Sequence, residues 1–238
     1  MTFDTVRVRV VAAVQTSLAS LTVTAQQDER FQALDRQIER IYKDNEYALP
    51  RFGPARWLQD GTAYTTVERS GDGSDIVRYA AATGARSILI SSAQLTPSGA
   101  QKPLTIADYV WSDDGSKLLI FTNTRKVWRQ NTRGDYWVLN VKGGELKQVG
   151  AGAPEASLMF AKFSPDATRV GYVRGNNVYV ERLDDGRVTQ LTSDGSETTI
   201  NGTSDWVYEE EFGLRDGFRW SPDGRSIAYF QFDSTGVG

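Results

Sequence analysis

The chain has 238 residues, enough for one or two domains with a sizeable core. Its 27 basic and 30 acidic side chains are interspersed and give a net charge of -3, so there is no basic footprint for a nucleic acid. Cysteine and histidine are both absent. That excludes disulfides, thiolate or imidazole metal sites, and a Ser-His-Asp triad built within this chain.

Residues 1–25 carry the marks of an export signal. Arg7 and Arg9 supply positive charge, Val10 to Val23 a mostly apolar run, and Val23-Thr24-Ala25 a cleavage site before Gln26. The run is broken by Gln15-Thr16-Ser17 and is too short for a permanent bilayer anchor. A periplasmic or secreted location is the expectation. Residues 26–50 form a helical segment. From Gln26 to Tyr47, Phe31, Leu34, Ile38 and Ile41 recur at helical spacing, and Leu49-Pro50 closes the helix. Its apolar stripe needs a surface to cover it.

From residue 51 onward the chain repeats itself. Trp57-Leu58-Gln59-Asp60-Gly61 is followed by Trp111-Ser112-Asp113-Asp114-Gly115, Phe163-Ser164-Pro165-Asp166-Ala167 and Trp220-Ser221-Pro222-Asp223-Gly224, at intervals of 54, 52 and 57 residues. A period near ~50 residues marks stacked β units, most often propeller blades. Each turn joins two apolar runs, and strands are expected over Lys117–Thr122, Arg169–Arg174 and Ser226–Phe232. A second hairpin follows in three units: Asp75–Ala80 with Arg86–Ile90, Tyr136–Val141 with Glu145–Val149, and Asn177–Arg182 with Arg187–Leu191. The expected fold is all-β, a partial β-propeller of about three and a half four-stranded blades preceded by one amphipathic helix. So few blades cannot close a ring, and the open edge implies that residues 51–238 are an incomplete propeller domain.

Two segments stand outside the repeat. Asn123–Asp135 carries Arg125, Lys126, Arg129 and Arg133, with Trp128 among them; taken alone it is a solvated loop with Trp128 packed on the sheet. Ser196–Phe218 is an insertion holding Asp205-Trp206-Val207-Tyr208-Glu209-Glu210-Glu211-Phe212. Ser204 or Asp205 can cap a short helix there, and an acidic first turn explains a bare glutamate triplet without further function. Neighbouring helical residues lie about 100° apart, so two adjacent glutamates can also converge on one small cation. Phe212-Gly213-Leu214-Arg215 reads as an ordinary helix-to-strand connection.

The octet as a whole resembles the double-Glu motif of the dipeptidyl peptidase IV family. The resemblance implies an eight-bladed propeller followed by an α/β-hydrolase domain that this chain lacks, and an N-terminal segment packed near that domain. It also implies roles residue by residue. Glu210 and Glu211 match the pair that holds the free amino group of a peptide, with Glu209, Trp206 and Tyr208 in support. The Trp128-Arg129 pair selects Arg129, over Arg125 and Arg133, as the arginine that binds a substrate carbonyl. No catalytic residue, metal ligand or cofactor is expected in this chain. The implied activity is release of N-terminal dipeptides after proline or alanine by a serine peptidase, and the lack of cysteine suits a bacterial, periplasmic member. The expected partners are a peptide with a free N-terminus and the hydrolase domain; the resemblance leaves room for a homodimer of the full-length form. The alternative from another class is a non-catalytic periplasmic propeller that binds peptides or proteins, in which the blade turns are at home but the octet is not.

Overall fold

The computed structural model describes residues 29–49 and 52–237. The chain divides into two compact units, Met1–Arg51 and Phe52–Gly238. The expected export signal lies outside the described residues, as does the start of the expected helix. In the first unit, helix α1 covers 29–42, shorter than the expected span to Tyr47. Its stripe of Phe31, Leu34, Ile38 and Ile41 is exposed. No helix among the described residues is long and apolar enough to cross a membrane.

The second unit is all-β. The first blade is β1 (Ala55–Trp57), β2 (Ala63–Ser70), β3 (Gly73–Ala80) and β4 (Arg86–Ile90), antiparallel and in sequence order. The second holds β5 (Asp108–Trp111), β6 (Lys117–Val127), β7 (Gln130–Asn140) and β8 (Leu146–Val149); the third holds β9 (Leu158–Phe163), β10 (Arg169–Arg174), β11 (Asn177–Arg182) and β12 (Val188–Gln190). No sheet closes into a ring among the described residues. Blades two and three are stitched together where β7 meets β9, at Arg133 opposite Met159 and Gly134 opposite Leu158.

The strand period of two assigns the core. Leu118 and Ile120 of β6 pack with Ile76, Ile90 and Tyr109 toward the first blade, while Leu119 between them packs with Val138, Val170 and Tyr172 toward the third. Met159, Val173, Val178 and Phe218 form the next interface, between the third blade and the fourth unit. Each core therefore lies between neighbouring blades.

The repeated turns are held by local hydrogen bonds. The Ser112, Ser164 and Ser221 hydroxyls donate to Asp114, Asp166 and Asp223 at 2.6, 2.5 and 2.6 Å. The same oxygens accept the N–H groups of Lys117, Arg169 and Ser226 where the next strand begins. The serine bonds hold the Asp114 and Asp166 carboxyls down to about 2, below their ordinary 3.8. A carboxyl depressed on folding contributes stability above the unfolded value and loses it as pH falls through the folded one. Asp114→Asn combined with Asp166→Asn is therefore expected to flatten the acid-unfolding curve between pH 3.8 and about 2. An unchanged curve, followed by circular dichroism, would show that these turns do not govern acid sensitivity.

The fourth unit departs from the expectation. Ser226–Phe232 is not one strand but two, β15 (Ile227–Tyr229) and β16 (Gln231–Asp233), after β13 (Thr199–Asn201) and β14 (Phe218–Trp220). β14 pairs with β15 and β13 with β16, antiparallel and in continuous register. At the break, Gly202 N–H donates to the Phe230 carbonyl (2.9 Å) and Phe230 N–H to the Gly217 carbonyl (2.8 Å). β13 and β14 are thus two halves of one strand, interrupted by an excursion over residues 203–216.

Candidate functional site

The excursion is clasped at its base. Gly217 N–H bonds the Gly202 carbonyl (3.0 Å), and Thr203 bridges Asp216. The buried Thr203 and Ser204 hydroxyls donate to the Arg215 carbonyl (2.9 Å) and the Leu214 carbonyl (2.5 Å). Ser204 is thereby a clasp and not a cap. The cap is Asp205, whose Oδ1 accepts the Tyr208 N–H at 2.8 Å and starts helix α2 (Trp206–Phe212). Gly213, with φ 64°, ends it; Gly213 N–H bonds the Glu209 carbonyl and Leu214 N–H the Tyr208 carbonyl, both at 3.1 Å. This left-handed stop turns the chain back along the helix it has just left. Behind the clasp, Lys162 Nζ meets Asp216 Oδ1 at 2.5 Å and sits 3.5 Å from the Phe218 ring centre. Burial pushes this lysine down to about 8, against the opposing pull of Asp216.

The three glutamates leave the helix in three environments. Glu209 points inward, its side chain 4% exposed, with Oε1 3.6 Å from Arg215 Nε. The Glu210 side chain is largely buried, 12% exposed, and its Oε1 lies 2.9 Å from Arg129 Nε. Glu211 is exposed and has no ion pair among the described residues. Of the aromatic residues, Tyr208 packs on Phe232 (4.5 Å between ring centres) and Phe212 (5.4 Å), while Trp206 is half exposed.

Arg129 reaches Glu210 from the second blade. The segment Asn123–Asp135 is not a loop: β6 and β7 run on as a two-stranded ribbon that turns at Trp128-Arg129, with Val127 opposite Gln130. Trp128 has φ 50° in the first turn position, a conformation that hairpins ordinarily give to glycine. A bulky residue in the left-handed region costs about 1–2 kcal/mol and persists only where its surroundings impose it. Trp128 is 44% exposed, so the expected packing of its ring on the sheet is only partial. The ribbon residues Gln130, Asn131 and Thr132 and the returning segment 213–216 line a shared cleft of about 380 Å³.

The structure therefore joins Arg129 of the second blade to Glu210 of the fourth unit, with Glu211 beside Glu210 on the helix. Arg215, read as ordinary connection, is instead the partner of Glu209. Gly213 was the available signal, since a glycine stop folds the next residues back within reach of the helix. Among the described residues no group of three or more acidic side chains is placed to hold a metal ion.

Four-stranded antiparallel blades in an open series, one strand of which is interrupted by a capped acidic helix, define a partial β-propeller. The family model for the dipeptidyl peptidase IV N-terminal region matches residues 112–238, more than half of the chain. The chain belongs to that family. A protein named "Probable dipeptidyl-aminopeptidase B" from Podospora anserina is 39% identical over 130 residues, covering 54% of this chain and 14% of its own. Dipeptidyl peptidase 4 of Arthroderma otae is 31% identical over 190 residues, covering 79% and 23%. The crystal structure of Porphyromonas gingivalis dipeptidyl peptidase 4 superposes with a TM-score of 0.67 at 32% identity, over 76% of this chain and 25% of that one. The chain spans a quarter or less of the length of these relatives.

Proposed function

We propose that this chain is the substrate-selecting part of a serine dipeptidyl peptidase, with Glu210 and Glu211 holding the α-amine of a peptide and Arg129 orienting the next carbonyl. The observation that carries the reading is the Arg129–Glu210 contact of 2.9 Å, made between an inserted helix and a strained ribbon tip on another blade. Glu210, Glu211 and Arg129 together carry one net negative charge, which a single ammonium group neutralises. A peptide α-amine has an ordinary pKa of about 7.7–8.0 and is largely cationic at neutral pH. Carboxylates in a partly dry site give it charge-assisted hydrogen bonds.

The chain holds no histidine, so the nucleophile, base and acid come from the hydrolase domain that goes with such a propeller. A fixed distance from the clamp to that nucleophile sets the length of the released piece at two residues. Cleavage after proline or alanine, export to the periplasm or medium, and the division at residues 25 and 50 belong to the same proposal. In an enzyme carrying this chain as its amino-terminal part, Arg129→Ala is expected to lower kcat/KM on Ala-Pro-p-nitroanilide about tenfold, mainly through KM. An unchanged value would assign the carbonyl contact to another residue.

A further inference from the structure

We infer that Arg215 is a positioning residue that keeps the charged Glu209 buried beneath helix α2 and so aims Glu210 and Glu211; the inference rests on the clamp reading above. A seven-residue helix has no stability of its own. An apolar face would normally fix its orientation, yet Trp206, Val207 and Phe212 are exposed, and of its apolar side chains only Tyr208 packs on a strand among the described residues, against Phe232. Glu209 is the one buried residue of α2, a carboxylate in the place where a core side chain ordinarily sits. Its Oε1 and the Arg215 Nε, 3.6 Å apart, are both shielded from solvent, and neither has a hydrogen-bond partner among the described residues. The Arg215 side chain is 36% exposed and also meets water, whereas Arg215 is the one cation paired with Glu209 among the described residues.

Arg215 is itself fixed. The Gly213 stop brings it back along the helix, and Thr203 holds its carbonyl. Without the guanidinium, Glu209 sits uncompensated in a buried position, a costly state that rolling the helix toward water relieves. Because adjacent side chains are about 100° apart on the helix, that roll carries Glu210 off Arg129 and turns Glu211 with it. Arg215 and Arg129 thus each hold one of two neighbouring glutamates, Glu209 and Glu210.

The test uses an enzyme that carries this chain and the substrate Ala-Pro-p-nitroanilide. Arg215→Met is expected to raise KM about tenfold or more while kcat stays within about threefold, because the substrate's amine is misplaced and the chemistry is not. Glu209→Gln together with Arg215→Met removes the buried carboxylate and its partner, and is expected to return KM to within about threefold of the parent. Unchanged KM in Arg215→Met, or a double variant as impaired as the single one, overturns the inference. Should Arg215→Met fail to fold, the double variant alone decides, and a tenfold raised KM or failure to fold overturns it. Glu210→Gln is the control. If it leaves KM unchanged, the clamp reading fails and this inference with it; if it raises KM while Arg215→Met does not, only this inference fails.

Discussion

Replacing Gly202 with alanine is expected to lower stability by about 2–5 kcal/mol, while the same change at Gly213 costs about 1–2 kcal/mol. Both glycines are left-handed, with φ 74° and 64°. A side chain in that region costs about 1–2 kcal/mol at either place. The difference is space. A Cβ on Gly202 would stand 2.7 Å from Val178 Cγ2 and 2.8 Å from Val173 Cγ2, both in the interface between the third blade and the fourth unit, whereas a Cβ on Gly213 meets nothing within 4 Å. Forcing a methyl group into a packed interior adds about 1–3 kcal/mol. Gly202 is also where the strand is cut and the excursion begins, so the damage is expected to reach the site. Urea titrations of the two variants check the ranking; equal losses would mean that the interface yields freely.

The turns were legible because each is a local device. A serine and an aspartate two residues apart close their own hydrogen bonds, and the blades follow from turns at steady spacing. The cap at Asp205 and the stop at Gly213 are local in the same way. The divided strand was not legible: its halves are three residues each, and only pairing with 227–233 reveals that they share one register. The ribbon was hidden for a related reason. Arg125, Lys126, Arg129 and Arg133 break the apolar pattern that signals a strand, and the ladder passes two register shifts between Thr122 and Val127. Sequence reasoning therefore picked out Arg129 and Glu210 but had no means of bringing them together. The separate fates of the three glutamates were equally invisible, because they depend on arginines delivered by the fold from two directions.

Glu210→Gln in an enzyme carrying this chain is expected to lower kcat/KM on Ala-Pro-p-nitroanilide about a hundredfold, and blocking the substrate's amine by acetylation to lower it on the order of 10³-fold or more. The first figure is the loss of one charge-assisted hydrogen bond, about 1.5–3 kcal/mol, at 1.4 kcal/mol per factor of ten. The second is larger because the acetylated peptide brings neither charge nor donors, and covers Glu210, Glu211 and Arg129 while leaving their net negative charge unneutralised. The same Glu210 change is expected to move folding stability by only about 0.5 kcal/mol, since the Arg129 it leaves behind is 73% exposed and remains solvated, although the Glu210 side chain itself is 12% exposed. That contrast separates a binding site from a structural ion pair. If Glu210 served only to tie the helix to the ribbon, stability and kcat/KM would fall together, and the free and acetylated substrates would lose rate in the same proportion. Measuring both substrates on both proteins, beside one urea titration, decides between the two.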